Sequence, residues 1–254
     1  SLEKLPSLTG FWSQEIQMPQ QPEFHQEILD GVAYKVAEIK KLVLFPQRSG
    51  TLEIDPMKGE VIARVQVKRQ RSNDPFDQFF NDPFFNNPFF NNSVQDVKVP
   101  LRSAAVKVNV KELPAGEPSS FSGAVGKFSL DVSLDKQRVK ANDAVTLRIK
   151  VSGKGNIKLI DAPKIDFPPD METYDPKENV NVTAAAGGVT GTKTFEYLFI
   201  PRTAGEYKLP VQPFSYFDLE KKQYVEIPCP ELKLTVDKGS GNVTTTVTTS
   251  NKSD

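Results

Sequence analysis

The one histidine, His25, and the one cysteine, Cys229, are the first residues to test for chemistry. His25 lies in MPQQPEFHQ, a polar, proline-bearing stretch from Met18 to Gln26 that reads as a loop. A histidine base needs a nucleophile within hydrogen-bond reach, and the local sequence offers none. A solvated loop histidine accounts for it. Cys229 sits between Pro228 and Pro230, where a strand restarts. Nothing basic flanks it to favour a thiolate, so it reads as a small packing residue.

Gly153-Lys154-Gly155 has the residue types of a phosphate loop. A phosphate cradle, however, is a longer glycine-rich loop that opens a helix, and no helical period follows. The reading for Ser152–Asn156 is a bulge or turn. Asp161, Asp166, Asp170, Glu172 and Asp175 crowd one proline-rich loop. Hard cations favour such carboxylates, but the ordered spacing of a calcium loop is missing. Arg64, Lys68, Arg69 and Arg71 form a basic run that reads as a solvated strand end. No set of these residues can run a reaction. The expectation is a non-enzymatic protein with no cofactor, no metal site and no small-molecule substrate.

The elements that would position any site are strands. Twenty prolines and fifteen glycines in 254 residues, with almost no helical period, favour an all-β architecture. Apolar residues make up 38% of the chain, enough to bury real cores. Lys+Arg and Asp+Glu are both 32, so the chain lacks the basic excess of a nucleic-acid binder. No apolar run is long enough to span a membrane as a helix. With one cysteine, no intrachain disulfide can form.

The organising stretch is Thr194–Asp218, TFEYLFIPRTAGEYKLPVQPFSYFD. Phe195, Tyr197 and Phe199 alternate with Glu196 and Leu198, the period of a half-buried strand. Pro201 to Gly205 reads as a tight corner, and Tyr207, Leu209, Phe214, Tyr216 and Phe217 as the returning strand. This predicts the central hairpin of a β-sandwich. The corner is written twice. Leu44-Phe45-Pro46-Gln47-Arg48-Ser49-Gly50 lies over Phe199-Ile200-Pro201-Arg202-Thr203-Ala204-Gly205, and Val97–Pro100 over Val225–Pro228. The chain is therefore two copies of one unit. The phase between the two matches places an insertion in the first copy at about 71–97. The repeat also decides Gly31–Phe45, which fits either a helix or a strand, for a bulged strand.

The insertion is an Asn/Asp-Pro-Phe-Phe array carrying Phe76, Phe79, Phe80, Phe84, Phe85, Phe89 and Phe90 with Asp74, Asp77 and Asp82. It reads as a loop, and its apolar density makes these ten residues the candidate partner-contact site. The expected domains are 1–113 and 127–238, joined by a Pro/Gly/Ser linker at 114–126 anchored by Phe121. A disordered tail is expected at 239–254. Two clear strands, Phe128–Leu134 and Val145–Val151, precede the repeated segment in the second copy, and the first copy shows none. The first domain is accordingly expected to lack its N-terminal strands. Hairpin-tip residues Val182–Thr192 promise little packing.

The second copy resembles the BatD family, the aerotolerance or oxygen-tolerance proteins. The resemblance lies in Gly123-Ala124-Val125-Gly126-Lys127-Phe128, Gly153-Lys154-Gly155-Asn156, Thr194–Arg202 and Phe214-Ser215-Tyr216-Phe217-Asp218. The first copy is similar at Gly10-Phe11-Trp12-Ser13 and Leu44–Gly50. The resemblance implies two tandem immunoglobulin-like (fibronectin III-like) β-sandwich domains. It implies a soluble fragment of a membrane-anchored parent on the periplasmic side of the inner membrane. It implies a scaffold acting with von Willebrand A-domain proteins and a MoxR-type ATPase, and it transfers no catalytic residue. An A-domain partner would use Asp74, Asp77 or Asp82 to complete its own metal site. The alternative is a surface carbohydrate-binding module, with Trp12, Tyr174 and Tyr224 as the sugar platform.

Overall fold

A computed structural model describes residues 2–67 and 93–239, with side chains described for 5–62 and 96–239. The early strands are β1 (Leu2–Lys4), β2 (Phe11–Glu15), β3 (Phe24–Leu29), β4 (Val32–Ala37), β5 (Leu42–Pro46) and β6 (Gly50–Ile54). Next come β7 (Lys58–Val67), β8 (Ser93–Arg102), β9 (Val106–Val110), β10 (Phe121–Leu134), β11 (Arg138–Lys140) and β12 (Val145–Gly155). The last are β13 (Met171–Thr173), β14 (Lys177–Ala185), β15 (Gly188–Pro201), β16 (Gly205–Leu209), β17 (Phe214–Asp218), β18 (Gln223–Ile227) and β19 (Leu232–Asp237). Among the described residues, one 3-10 turn, Ile157–Leu159, interrupts the strands. The protein is all-β, as its composition requires. No helix among the described residues is long and apolar enough to cross a membrane.

The chain divides into two compact units, Ser1–Trp12 with Pro46–Glu112, and Ser13–Phe45 with Leu113–Asp254. The second holds a β-sandwich. Its larger sheet runs β13-β15-β12-β10-β17-β18, with β14 also on β15, and its smaller sheet runs β11-β19-β16. Strict alternation builds the core. Val145, Leu147, Ile149 and Val151 of β12 are fully buried, while Arg148 and Lys150 between them face solvent. Phe195, Tyr197 and Phe199 of β15 join them, and Leu209, Leu234 and Val236 of the smaller sheet close the layer. Each such burial is worth about 1.5–3 kcal/mol, so the central pair β12–β15 anchors the sandwich.

The aromatic stretch 194–218 is not a hairpin. β15 belongs to the larger sheet, whereas β16 pairs with β19 in the smaller one. The Pro201–Gly205 corner therefore carries the chain across the core from one sheet to the other. Period-two patterning shows which residues face inward but not which sheet receives them. Four further readings need correction. Phe24–Gln26 belong to β3 rather than to a loop. Gly31–Phe45 is two strands, β4 and β5, rather than one bulged strand. The stretch read as a linker already carries the start of β10 at Phe121, where Phe121 pairs with Ser215. Finally, Val189, inside the Val182–Thr192 stretch expected to pack little, is buried in the core, 2% exposed.

Ser152–Asn156 is not a bulge either. β12 pairs with β10 in unbroken register from Leu134↔Leu147 to Gly126↔Gly155. The glycines are there because neighbouring backbones come too close for a Cβ. One built on Gly153 would lie 2.1 Å from the Lys127 carbonyl oxygen, and one on Gly155 would lie 2.2 Å from that of Val125. Beside them, Asn156 is buried and satisfied. Its Oδ1 accepts the Val125 N–H at 2.7 Å and its Nδ2 donates to the Gly123 carbonyl at 2.8 Å.

The pairing pattern repeats along the chain. β6 pairs antiparallel with β9, as β16 does with β19. β7 and β8 form a hairpin, as β17 and β18 do. β2 on β5 and β3 on β4 match β13 and β14 on β15. By this correspondence β3 stands where β14 stands, outermost on its sheet. Among the described residues, no strand takes the places of β12 and β10 beside β4 and β5.

Candidate functional site

His25 and Cys229 each have a local partner. His25 lies on the exposed strand β3, its Nε2 2.8 Å from Glu27 Oε1. Cys229 donates its Sγ–H to the Gln212 carbonyl at 3.1 Å, and partial burial pushes its thiol pKa up. That is the opposite of what an attacking thiolate needs.

The acidic loop is a cross-linked corner. Tyr207 donates to the Asp170 carboxylate, and Arg202 binds both Glu172 and the Asn142 Oδ1. Tyr174 donates to Glu172 at 2.5 Å. These bonds hold the Glu172 carboxyl below its ordinary pKa, with Tyr174 as the larger cause and Arg202 the next. The loop thus braces the sheet-to-sheet corner at Pro201. No group of described residues has the makings of a metal site.

Buried polar groups elsewhere are equally occupied. Lys193 is 5% exposed, donates to the Ile160 carbonyl at 2.7 Å, pairs with Glu178 at 2.9 Å and lies 5.0 Å over the Phe195 ring. It pins the 3-10 turn to β15. Tyr197 donates to the Pro163 carbonyl at 2.5 Å, and burial pushes its phenol pKa up. Asp218 is 2% exposed and accepts the backbone N–H groups of Lys221 and Glu220, which hold its carboxyl below the ordinary range. It closes the β17–β18 turn.

Tyr174 and Tyr224, two of the three residues of the expected sugar platform, do not stand together. Tyr174 follows β13 and Tyr224 lies on β18, at opposite edges of the larger sheet. Five strand spacings of about 4.8 Å put those edges roughly 24 Å apart. The Tyr224 ring is also edge-packed on Phe121 at 5.0 Å and Phe217 at 5.2 Å. Trp12, half-buried on β2, belongs to the other unit. Phe76, Phe79, Phe80, Phe84, Phe85, Phe89, Phe90, Asp74, Asp77 and Asp82 lie outside the described residues, as do Lys68, Arg69 and Arg71.

What the sequence reading missed is the apolar surface on the strands themselves. Val61 faces Val99 across β7–β8, with Val97 and Leu101 two residues either side. The period of two puts all four on one sheet face. They are 36–51% exposed. On the β3–β4 hairpin, Phe24, Ile28, Leu29, Val32 and Tyr34 are 51–73% exposed. The signal for that hairpin was legible as Asp30-Gly31 between two apolar runs. Both residues have positive φ, 50° and 78°, the requirement of a two-residue type I′ turn.

Residues 132–236 match the model of a family described as BatD, a BatD DUF11-like domain. The matched span begins in β10 and ends in β19, which covers most of the sandwich. No curated protein and no solved structure matches the chain. The family match supports a BatD family assignment and, with it, a BatD-type, aerotolerance-associated module.

Proposed function

We infer that the chain is a non-catalytic interaction module of a membrane-anchored periplasmic complex, working with von Willebrand A-domain proteins and a MoxR-type ATPase in oxygen tolerance. The BatD match supports the setting. The observation that carries the interaction role is the apolar face of β7–β8. Val61, Val97, Val99 and Leu101 stand side by side on one face, and all four are exposed. A contiguous exposed apolar patch is a feature of contact surfaces rather than of idle ones. The polar residues point the same way. Of those that looked chemical in the sequence, Asp170 and Glu172 are spent on bracing the corner at Pro201. The A-domain protein is the partner proposed for the β7–β8 face.

The test is affinity capture from membranes with the full-length protein, probing for the A-domain protein encoded beside it. Val99→Lys places a charge at the centre of the patch, on a residue already 36% exposed, so folding should survive. The expected result is capture by the native protein and its loss in Val99→Lys. An equivalent yield from both proteins, or no A-domain protein with either, would overturn the assignment.

A further inference from the structure

The β3–β4 hairpin is anomalous in its exposure. Every residue of β3 faces solvent, and among the described residues β3 and β4 form a sheet of two strands. Such a hairpin is marginal on its own and gains from a further strand. The strand correspondence described above puts β3 at the outermost position of its sheet, so its free edge is a terminus of the pairing pattern. An exposed edge is a template for another strand.

The hairpin geometry fixes which backbone groups face outward. A two-residue turn makes Leu29↔Val32 a hydrogen-bonded pair, and bonded pairs alternate along an antiparallel ladder. Leu29, Glu27 and His25 therefore direct their N–H and C=O toward β4. Phe24, Gln26 and Ile28 direct theirs away from it.

That edge is complementary to itself. Lay a second β3 antiparallel to the first, with Gln26 opposite Gln26. The outward-facing residues then meet one another, which a hydrogen-bonded ladder requires. Phe24 falls opposite Ile28 of the other copy, an aromatic–aliphatic pair that occurs twice. His25 falls opposite Glu27 of the other copy, again twice, a donor facing a carboxylate. Cross-strand pairs of these kinds stabilise a ladder. Both side chains of the polar pair are more than half exposed, 55% and 62%, and already within hydrogen-bond distance along the strand. A slip of one residue on each strand would put Glu27 opposite Glu27, two carboxylates face to face. A slip that offsets the strands by a single residue would set outward groups against inward ones. Chemistry and ladder parity select the same register.

We propose that β3 is a homotypic interface. Two copies join edge to edge about a two-fold axis through Gln26, giving the four-stranded sheet β4-β3-β3-β4. The contact is isologous, as a closed dimer requires. It is a short interface, so the association is a weak and reversible one.

Disulfide trapping in the full chain reads the register directly, with Cys229→Ser as background. Directly opposite residues in a bonded pair have Cα atoms about 5.5 Å apart, within reach of a disulfide. Gln26→Cys should cross-link to itself on mild oxidation. Ile28→Cys alone should not cross-link to itself, and an equal mixture of Ile28→Cys and Phe24→Cys should cross-link between the two variants. The same chain without added cysteines should show a concentration-dependent sedimentation coefficient. Gln26→Pro should abolish that dependence, because it removes an outward N–H and leaves the bonds to β4 intact. Unchanged circular dichroism would show that the Gln26→Pro chain has folded. A native chain that stays monomeric at high micromolar concentration overturns the proposal, and so does Ile28→Cys trapping as fast as Gln26→Cys.

Discussion

Replacing Gly153 by alanine should cost the second unit several kilocalories, although the residue carries no side chain and touches no ligand. A Cβ there would stand 2.1 Å from the Lys127 carbonyl oxygen and 2.9 Å from both the Phe128 Cα and ring. Ordinary van der Waals contact begins at 3.4 Å, so β10 and β12 would have to part by more than 1 Å locally. The backbone at Gly153, with φ near +157°, is also one that a residue with a Cβ rarely adopts. That strain costs about 1–3 kcal/mol. Weakening one or two ladder bonds on β12 adds roughly 1 kcal/mol each. The sum is about 2–5 kcal/mol, or roughly 6–15 °C in Tm for a unit of this size. Gly187→Ala is the matched control, because its Cβ would meet only the Lys154 Nζ at 3.7 Å. Near-UV circular dichroism is the assay, since the Phe128, Phe214 and Tyr216 cluster reports on the same end of the sheet. A Gly153→Ala protein melting with native and Gly187→Ala would refute the close-approach argument and restore a bulge at this position.

Two other perturbations follow from the buried polar groups. Lys193→Met leaves the Ile160 carbonyl without its donor and should cost about 1–3 kcal/mol by urea titration, whereas Lys150→Met on the exposed face should stay within about 0.5 kcal/mol. Asp218, held below the ordinary carboxylate range, stabilises the fold above that range and ceases to do so as pH falls through its folded pKa. Asp218→Asn keeps an Oδ1 to accept the same two N–H groups but cannot titrate. Its Tm should therefore fall less steeply than the native Tm on acidification below about pH 4, and parallel slopes would discount the turn carboxylate.

The sequence was most legible where a single period controls the outcome. Val145 to Val151 and Phe195 to Phe199 were assigned inward on alternation alone, and those residues form the centre of the core. It was least legible where two distant segments decide together. Gly153 and Gly155 look like a break in β12 when read along the chain, and become close packing only when β10 is laid beside them in register. Likewise, Pro201–Gly205 has every local mark of a hairpin corner. That β16 pairs with β19 rather than β15 is a choice of partner, and neither strand encodes it alone.

The same limit explains why the exposed surfaces went unread. Val61, Val97 and Val99 alternate as well as any core strand does. Alternation reports that one face is apolar, and it is silent on whether a second sheet covers that face. Polar residues are less ambiguous. An activated nucleophile or a metal cluster needs several groups of particular types, and their absence from the neighbourhood of His25 and Cys229 can be read in one dimension. Surfaces that recognise other proteins are made of the residues that make cores, distinguished only by what is missing opposite them. The stretch Phe24-His25-Gln26-Glu27-Ile28 is an exception to that ambiguity, because a strand whose residues pair complementarily about its own centre carries the description of its partner in its own order of residues.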